Sequence, residues 1–138
     1  MTYSEATVLI DDMVQKLNGV DNMIGIPPDD LKAVNAERSG TSALLTFTAG
    51  DTVVDGVVLA STFGVMLRRK VGSAPQTILD GELVNDFYGS ELDAYQTTPF
   101  VDQDLEAGKT YYYRFFPYTS AKIYNFHGNT VSVSIPGS

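Results

Sequence analysis

The stretch from Leu105 to Ala121, LEAGKTYYYRFFPYTSA, constrains the fold more than any other part of this chain. Glu106 to Lys109 reads as a tight turn in which Gly108 takes positive φ at no steric cost. Tyr111, Tyr113 and Phe115 then recur at every second residue and so share one face of a strand. Tyr112, Arg114 and Phe116 share the other. An aromatic run of this period needs a second layer to bury a face, which points to stacked sheets.

The same period of two returns elsewhere. Leu31 to Ala36 is expected to form a first strand. Ala43, Leu45 and Phe47 alternate with Leu44, Thr46 and Thr48 in a second, which ends at Ala49-Gly50-Asp51. Thr52 to Leu59, TVVDGVVL, sets two valine-rich arms around Asp55-Gly56, a two-residue hairpin signal. Gly64 to Val71 is the next strand, with Val65 and Leu67 on one face and Met66, Arg68 and Lys70 on the other. Gly72-Ser73-Ala74-Pro75 breaks it. Leu83 to Phe87 and Thr98 to Val101 read as shorter strands around a polar loop, Gly89 to Asp93. Val131, Val133 and Ile135 mark the last strand. About seven strands with turn signals between them and no second helix predict an all-β, antiparallel Greek-key sandwich with an extra hairpin near residues 52–59.

Met1 to about Asn18 has a different period. Thr2 and Glu5 have capping-box spacing, and Asn18-Gly19 is a stop signal. Tyr3, Ala6, Ile10, Met13 and Leu17 recur at helical spacing and make one apolar stripe, with Asp11, Asp12, Gln15 and Lys16 facing away. Such a helix is marginal alone in water, so its stripe needs a partner. That partner is either the sandwich or a second copy of the chain in a homo-oligomer. Gly25 and Pro27-Pro28 forbid its continuation. The chain thus divides into a helix and linker, residues 1–25, and a β-domain, residues 26–138.

Nine Lys and Arg against 17 Asp and Glu give a net charge of −8. Phosphate backbones and anionic lipid would repel such a chain, which weighs against nucleic acid and membrane surfaces as partners. The absence of cysteine excludes thiolate metal sites, disulfides and thiol catalysis. No apolar run approaches a membrane span. The N-terminus lacks the basic start and apolar block of a secretory signal, as expected of a mature or excised chain or of one that never meets a secretion channel.

Little here suggests chemistry. His127, the single histidine, lies in the loop Asn125-Phe126-His127-Gly128-Asn129, with no nucleophile elbow to serve. Asp11-Asp12 and Asp29-Asp30 are sequence-adjacent acids, which rarely converge across a cleft. Asp102 and Asp104 suit local turn hydrogen bonds, or a share in a cation site whose full loop pattern is missing. Arg68, Arg69 and Lys70 alternate faces on a strand, which places Arg69 in the inner register, where it snorkels or pairs with an acid. No catalytic, cofactor or metal site is expected. Tyr112, Phe116, Tyr118, Tyr124 and Phe126 are candidates to stack on sugar rings or anchor an interface. For Tyr112 and Phe116 the expectation is cover by the helix or by the Val53 to Leu59 hairpin, since large apolar patches seldom stay bare.

Leu105, Gly108 and Tyr111 form the L-x-x-G-x-x-Y pattern that opens the sixth strand of fibronectin type III domains, which the β-region resembles. The resemblance implies that the Tyr111 hydroxyl bonds back to the upstream backbone. Leu45 and Phe47 stand where such domains carry an apolar residue and a tryptophan; this chain has no Trp. The phrases DTVVDGVVLA, GVMLRRKVGSAP, DGELV and FVDQDLEAGKTYYYRFFPY are further similar, in order, to fibronectin-like modules of phage and prophage tail and baseplate-associated proteins. What this implies is a non-catalytic module of a virion tail, baseplate or fibre protein, assembled in the host cytoplasm. Its partners would be other virion subunits, a host receptor or a glycan. The alternative is an adhesion or carbohydrate-binding module of a bacterial cell surface or secreted protein.

Overall fold

The computed structural model describes residues 26–54, 56–58 and 60–137. The expected N-terminal helix, with its stripe Tyr3, Ala6, Ile10, Met13 and Leu17, lies outside the described residues. Strands β1 (Lys32–Ser39), β2 (Ser42–Thr48), β3 (Val53–Val54), β4 (Val57–Val58), β5 (Gly64–Val71) and β6 (Glu82–Tyr88) follow one another. Helix α1 (Ser90–Tyr95), β7 (Phe100–Asp102), β8 (Thr110–Tyr118) and β9 (Asn129–Ser134) complete the order. Two antiparallel sheets result, three strands in the order β1-β2-β7 and four in the order β6-β5-β8-β9. The β3–β4 hairpin stands apart, turning at Gly56 with φ 79°. Among the described residues the architecture is mostly β, in two antiparallel sheets.

One apolar core lies between the layers. Ala43, Leu45 and Phe47 enter it from β2, Val65 and Leu67 from β5, Phe87 from β6, and Tyr111, Tyr113 and Phe115 from β8. Phe47 takes the central place. Its ring tilts against Phe87 at 5.2 Å and Phe115 at 5.5 Å, the offset geometry aromatic quadrupoles favour. Phe100 and Tyr95 meet Phe87 edge-on at 5.1 and 5.4 Å and close that end of the core.

The turn before β8 is tied back by a side chain. The Tyr111 hydroxyl accepts the Glu106 N–H at 2.8 Å, and Tyr111 is almost wholly buried. Gly108 has φ 82°, and its N–H donates to the Ile135 carbonyl. Tyr111→Phe removes the acceptor and leaves a part-buried N–H without its partner. Its expected cost is about 1–3 kcal/mol, read from the urea unfolding midpoint.

Several elements differ from the sequence reading. The first strand runs Lys32–Ser39 with a bulge between Lys32 and Asn35 around Ala33, whose φ is 53°. The sixth and seventh become Glu82–Tyr88 and Phe100–Asp102. The polar loop expected from Gly89 to Asp93 is instead where helix α1 forms, with Leu92 buried and Glu91 and Asp93 in its positive first turn. Six residues are too few to show a helical period. The helix is held by a tertiary contact, since the Gln96 side chain accepts the Ala49 N–H and donates to the Leu92 carbonyl.

Candidate functional site

The hydrogen-bond registers gather the functional candidates at one pole. Gly64, the first residue of β5, pairs with both Tyr88 at the end of β6 and Tyr118 at the end of β8. β9 begins opposite Phe115, and β1 begins opposite Thr48 at the end of β2. The loop from Thr119 to Gly128 therefore projects from the same pole as the segment leading into β5. Asn125 fixes this loop. Its Nδ2 donates to the Pro28 carbonyl at 3.0 Å and to Asp30 Oδ1 at 2.8 Å, while its Oδ1 accepts the N–H groups of His127 and Gly128. Asn129 adds a reciprocal pair to the backbone of Leu31.

Across this pole runs a row of aromatic rings. Tyr88 and Phe63 lie nearly parallel, 15° between planes, with centroids 6.5 Å apart. Phe63 meets Tyr118 at 6.2 Å, Tyr118 meets Tyr124 at 5.0 Å, and Tyr124 meets Phe126 at 6.0 Å. The ends of the row face solvent, with Tyr88 55% exposed, Phe63 46% and Phe126 58%. Tyr124 is half-buried and Tyr118 fully buried. Exposed rings at both ends of a packed aromatic row mark an interaction site more often than a solvated face.

Gly64 makes the row possible. The Tyr118 ring lies over it, and the Tyr118 hydroxyl donates to Asp86 Oδ1 at 2.6 Å. Burial and the adjoining carboxylate hold that hydroxyl well above the ordinary tyrosine pKa. A Cβ on residue 64 would stand 2.3 Å from the Tyr118 hydroxyl oxygen and 2.9 Å from the Phe87 carbonyl. Gly64→Ala must therefore push the ring off its seat. The expected result is a loss of about 1–3 kcal/mol in urea unfolding, the usual cost of overpacking.

Of the sequence candidates, Tyr124 and Phe126 belong to the row. Phe116 does not, because it has no exposed surface. The Arg114 guanidinium covers it at 5.3 Å, anchored on the carbonyls of Pro75, Phe126 and His127. Phe116 is thereby corrected from a contact residue to part of the fold, and Tyr112 is half-buried. Leu105, Leu45, Leu67, Phe47 and Tyr111 are buried in the core. Phe63 and Tyr88 escaped the sequence reading because each is a single ring at a strand end, far from the others in the chain.

The titratable groups mostly serve the scaffold. His127 is an exposed loop residue 3.0 Å from Asp30. Asp102, expected in a turn or cation role, instead accepts from Arg69 Nη1 at 2.8 Å and the Tyr113 hydroxyl at 2.6 Å. It ties β7 of one sheet to β5 and β8 of the other. Burial and the Asp102 carboxylate push the Tyr113 hydroxyl up. Burial would lower the Arg69 pKa, but the bonds it donates to Glu82 and Asp102, with their charges, outweigh this and raise the value. Among the described residues no cluster of three or more His, Cys, Asp or Glu side chains is placed to hold a metal ion.

No family model matches the chain, and no curated protein matches it in sequence. Among solved structures it is similar to the Clostridium perfringens spore cortex lytic enzyme SleM, with a TM-score of 0.54 and 15% identity over 86% of this chain. The chain spans 31% of that protein's length, and at such identity the likeness is one of fold.

Proposed function

We propose that the chain is a non-catalytic, fibronectin type III-like module of a phage or prophage virion protein, in a tail, baseplate or fibre, whose aromatic pole contacts a receptor or neighbouring subunit. The row of five rings, exposed at both ends and continuous through Tyr118, is the observation that carries this reading. A scaffold that ties its loops to its core and leaves rings bare is built for contact. The family assignment draws support from the strand order, in which the chain changes layer between β2 and β5, β6 and β7, and β7 and β8. Such layer changes are those a Greek-key domain of this kind would make. The hydrogen bond from the Glu106 N–H to the Tyr111 hydroxyl also supports it. The virion setting rests on the ordered phrases from Thr46 to Ala121.

A second reading is a surface or secreted adhesion module of a bacterium. It is favoured by the fold likeness to part of a longer chain, described as a spore cortex lytic enzyme. Immunogold labelling of fractionated cultures that carry the gene separates the two. Label on purified particles is the expected result. Label confined to the cell envelope or the medium overturns the virion setting in favour of the adhesion module.

A further inference from the structure

The ring row is not uniform along its length. Two pairs of rings, Tyr88 with Phe63 and Tyr124 with Phe126, flank a polar middle. There the Lys122 ammonium stands 4.5 Å from the Tyr118 ring centroid, and the Asp86 carboxylate receives the Tyr118 hydroxyl. Lys122 is held in place at a steric cost. Its φ is 65°, in the left-handed region that residues with a Cβ rarely adopt. Thr119 over-determines that conformation. Its Oγ1 accepts the N–H groups of Ala121 and Ile123, and its carbonyl accepts the N–H of Lys122 at 2.9 Å. A donor and an acceptor thus stand between two apolar platforms, the donor on a constrained backbone and the acceptor bonded to the Tyr118 hydroxyl.

From this arrangement we infer that the row binds a neutral glycan chain, an assignment that rests on the contact role proposed above and names its ligand class. A pyranose presents an apolar C–H face that lies flat on an aromatic ring, and hydroxyls at its rim that both donate and accept. A run of such sugars meets rings at both ends of the row. Its hydroxyls meet the ammonium of Lys122 and the carboxylate of Asp86 in the middle. Single-stranded nucleic acid also stacks on rows of rings, but a chain of net charge −8 repels its phosphates. The same repulsion disfavours acidic glycans.

Screening the full chain on a printed array of neutral and acidic glycans, then titrating the strongest neutral oligosaccharide by calorimetry, tests this. The expected result is binding to a neutral glycan, weakened about tenfold or more by Phe126→Ala and by Lys122→Met, with thermal midpoints unchanged. Saturation transfer from aromatic protons to sugar C–H groups should accompany it. Binding to no array glycan, binding to acidic glycans alone, or neutral-glycan binding that both variants leave intact would each overturn the inference. A failed array with labelled particles removes only the ligand class. Glycan binding without labelled particles removes only the virion setting.

Discussion

Replacing Phe47 by alanine is expected to lower stability by about 3–5 kcal/mol. Phe47 is 2% exposed, and its ring is the one from the three-stranded sheet that touches rings of two different strands in the opposite sheet. Truncation removes the transfer free energy of the ring and leaves a cavity that Phe87 and Phe115 are too firmly held to fill. Phe87 is braced by Tyr95 and Phe100, and Phe115 lies in the middle of β8 between two paired strands. The cost appears as a lower urea midpoint with an unchanged slope, since the surface exposed on unfolding is nearly the same. A loss below about 1 kcal/mol would show that the layers do not close on this ring.

Asp102→Ala is expected to cost about 3 kcal/mol, by a different physical route. The side chain of Asp102 is 12% exposed and that of Arg69 22%, so removing the carboxylate leaves a largely desolvated guanidinium with one acidic partner, Glu82. The Tyr113 hydroxyl, on a residue with no exposed surface, loses its acceptor at the same time. Most of the cost is therefore unsatisfied polarity rather than lost attraction. Asp102→Asn, which keeps an acceptor oxygen, should cost less. A double-mutant cycle with Tyr113→Phe should show coupling, because the second substitution removes one of the groups that the first strands. Additive losses would mean that Asp102 and Tyr113 act independently.

These two residues differ in how well the sequence announces them. Phe47 is legible because Ala43, Leu45 and Phe47 alternate with Thr46 and Thr48, and alternation alone assigns the inward face. The inward set Tyr111, Tyr113 and Phe115 and the Asp55-Gly56 hairpin are legible for the same local reasons. The inner register of Arg69 was legible too, including its need for an acid. Which acid was not, because Asp102 lies 33 residues away on a strand of the other sheet. Asp102 itself reads as a turn residue, and nothing local marks it as an acceptor for a tyrosine 11 residues on.

The pole was legible only in part. Tyr124 and Phe126 stand out as aromatics in a loop, yet Phe63 and Tyr88 join them only through the pairing of Gly64 with two different strands. Phe116 was rightly placed on the outward face of its strand. The sequence suggests cover by the helix or the valine hairpin, whereas Arg114 lies over the ring, its guanidinium fixed by carbonyls of two distant loops. Helix α1 was missed because a turn and a half leaves room for one buried leucine, and its stability comes from Gln96 bonding across to Ala49.

Scaffold and proposed contact surface should be separable, since the buried core lies between the layers and the proposed contact rings at the ends of the row already face water. The most direct measurement is adsorption of the Tyr88→Ala/Phe126→Ala double variant to envelopes of cells that carry the gene. It should be made at a temperature where the near-ultraviolet circular dichroism of the variant shows intact tertiary packing. The unaltered chain should adsorb and the folded variant should lose about tenfold or more in affinity, the scale set by two aromatic anchors. Undiminished adsorption by the folded variant would contradict the assignment of the pole as the contact surface.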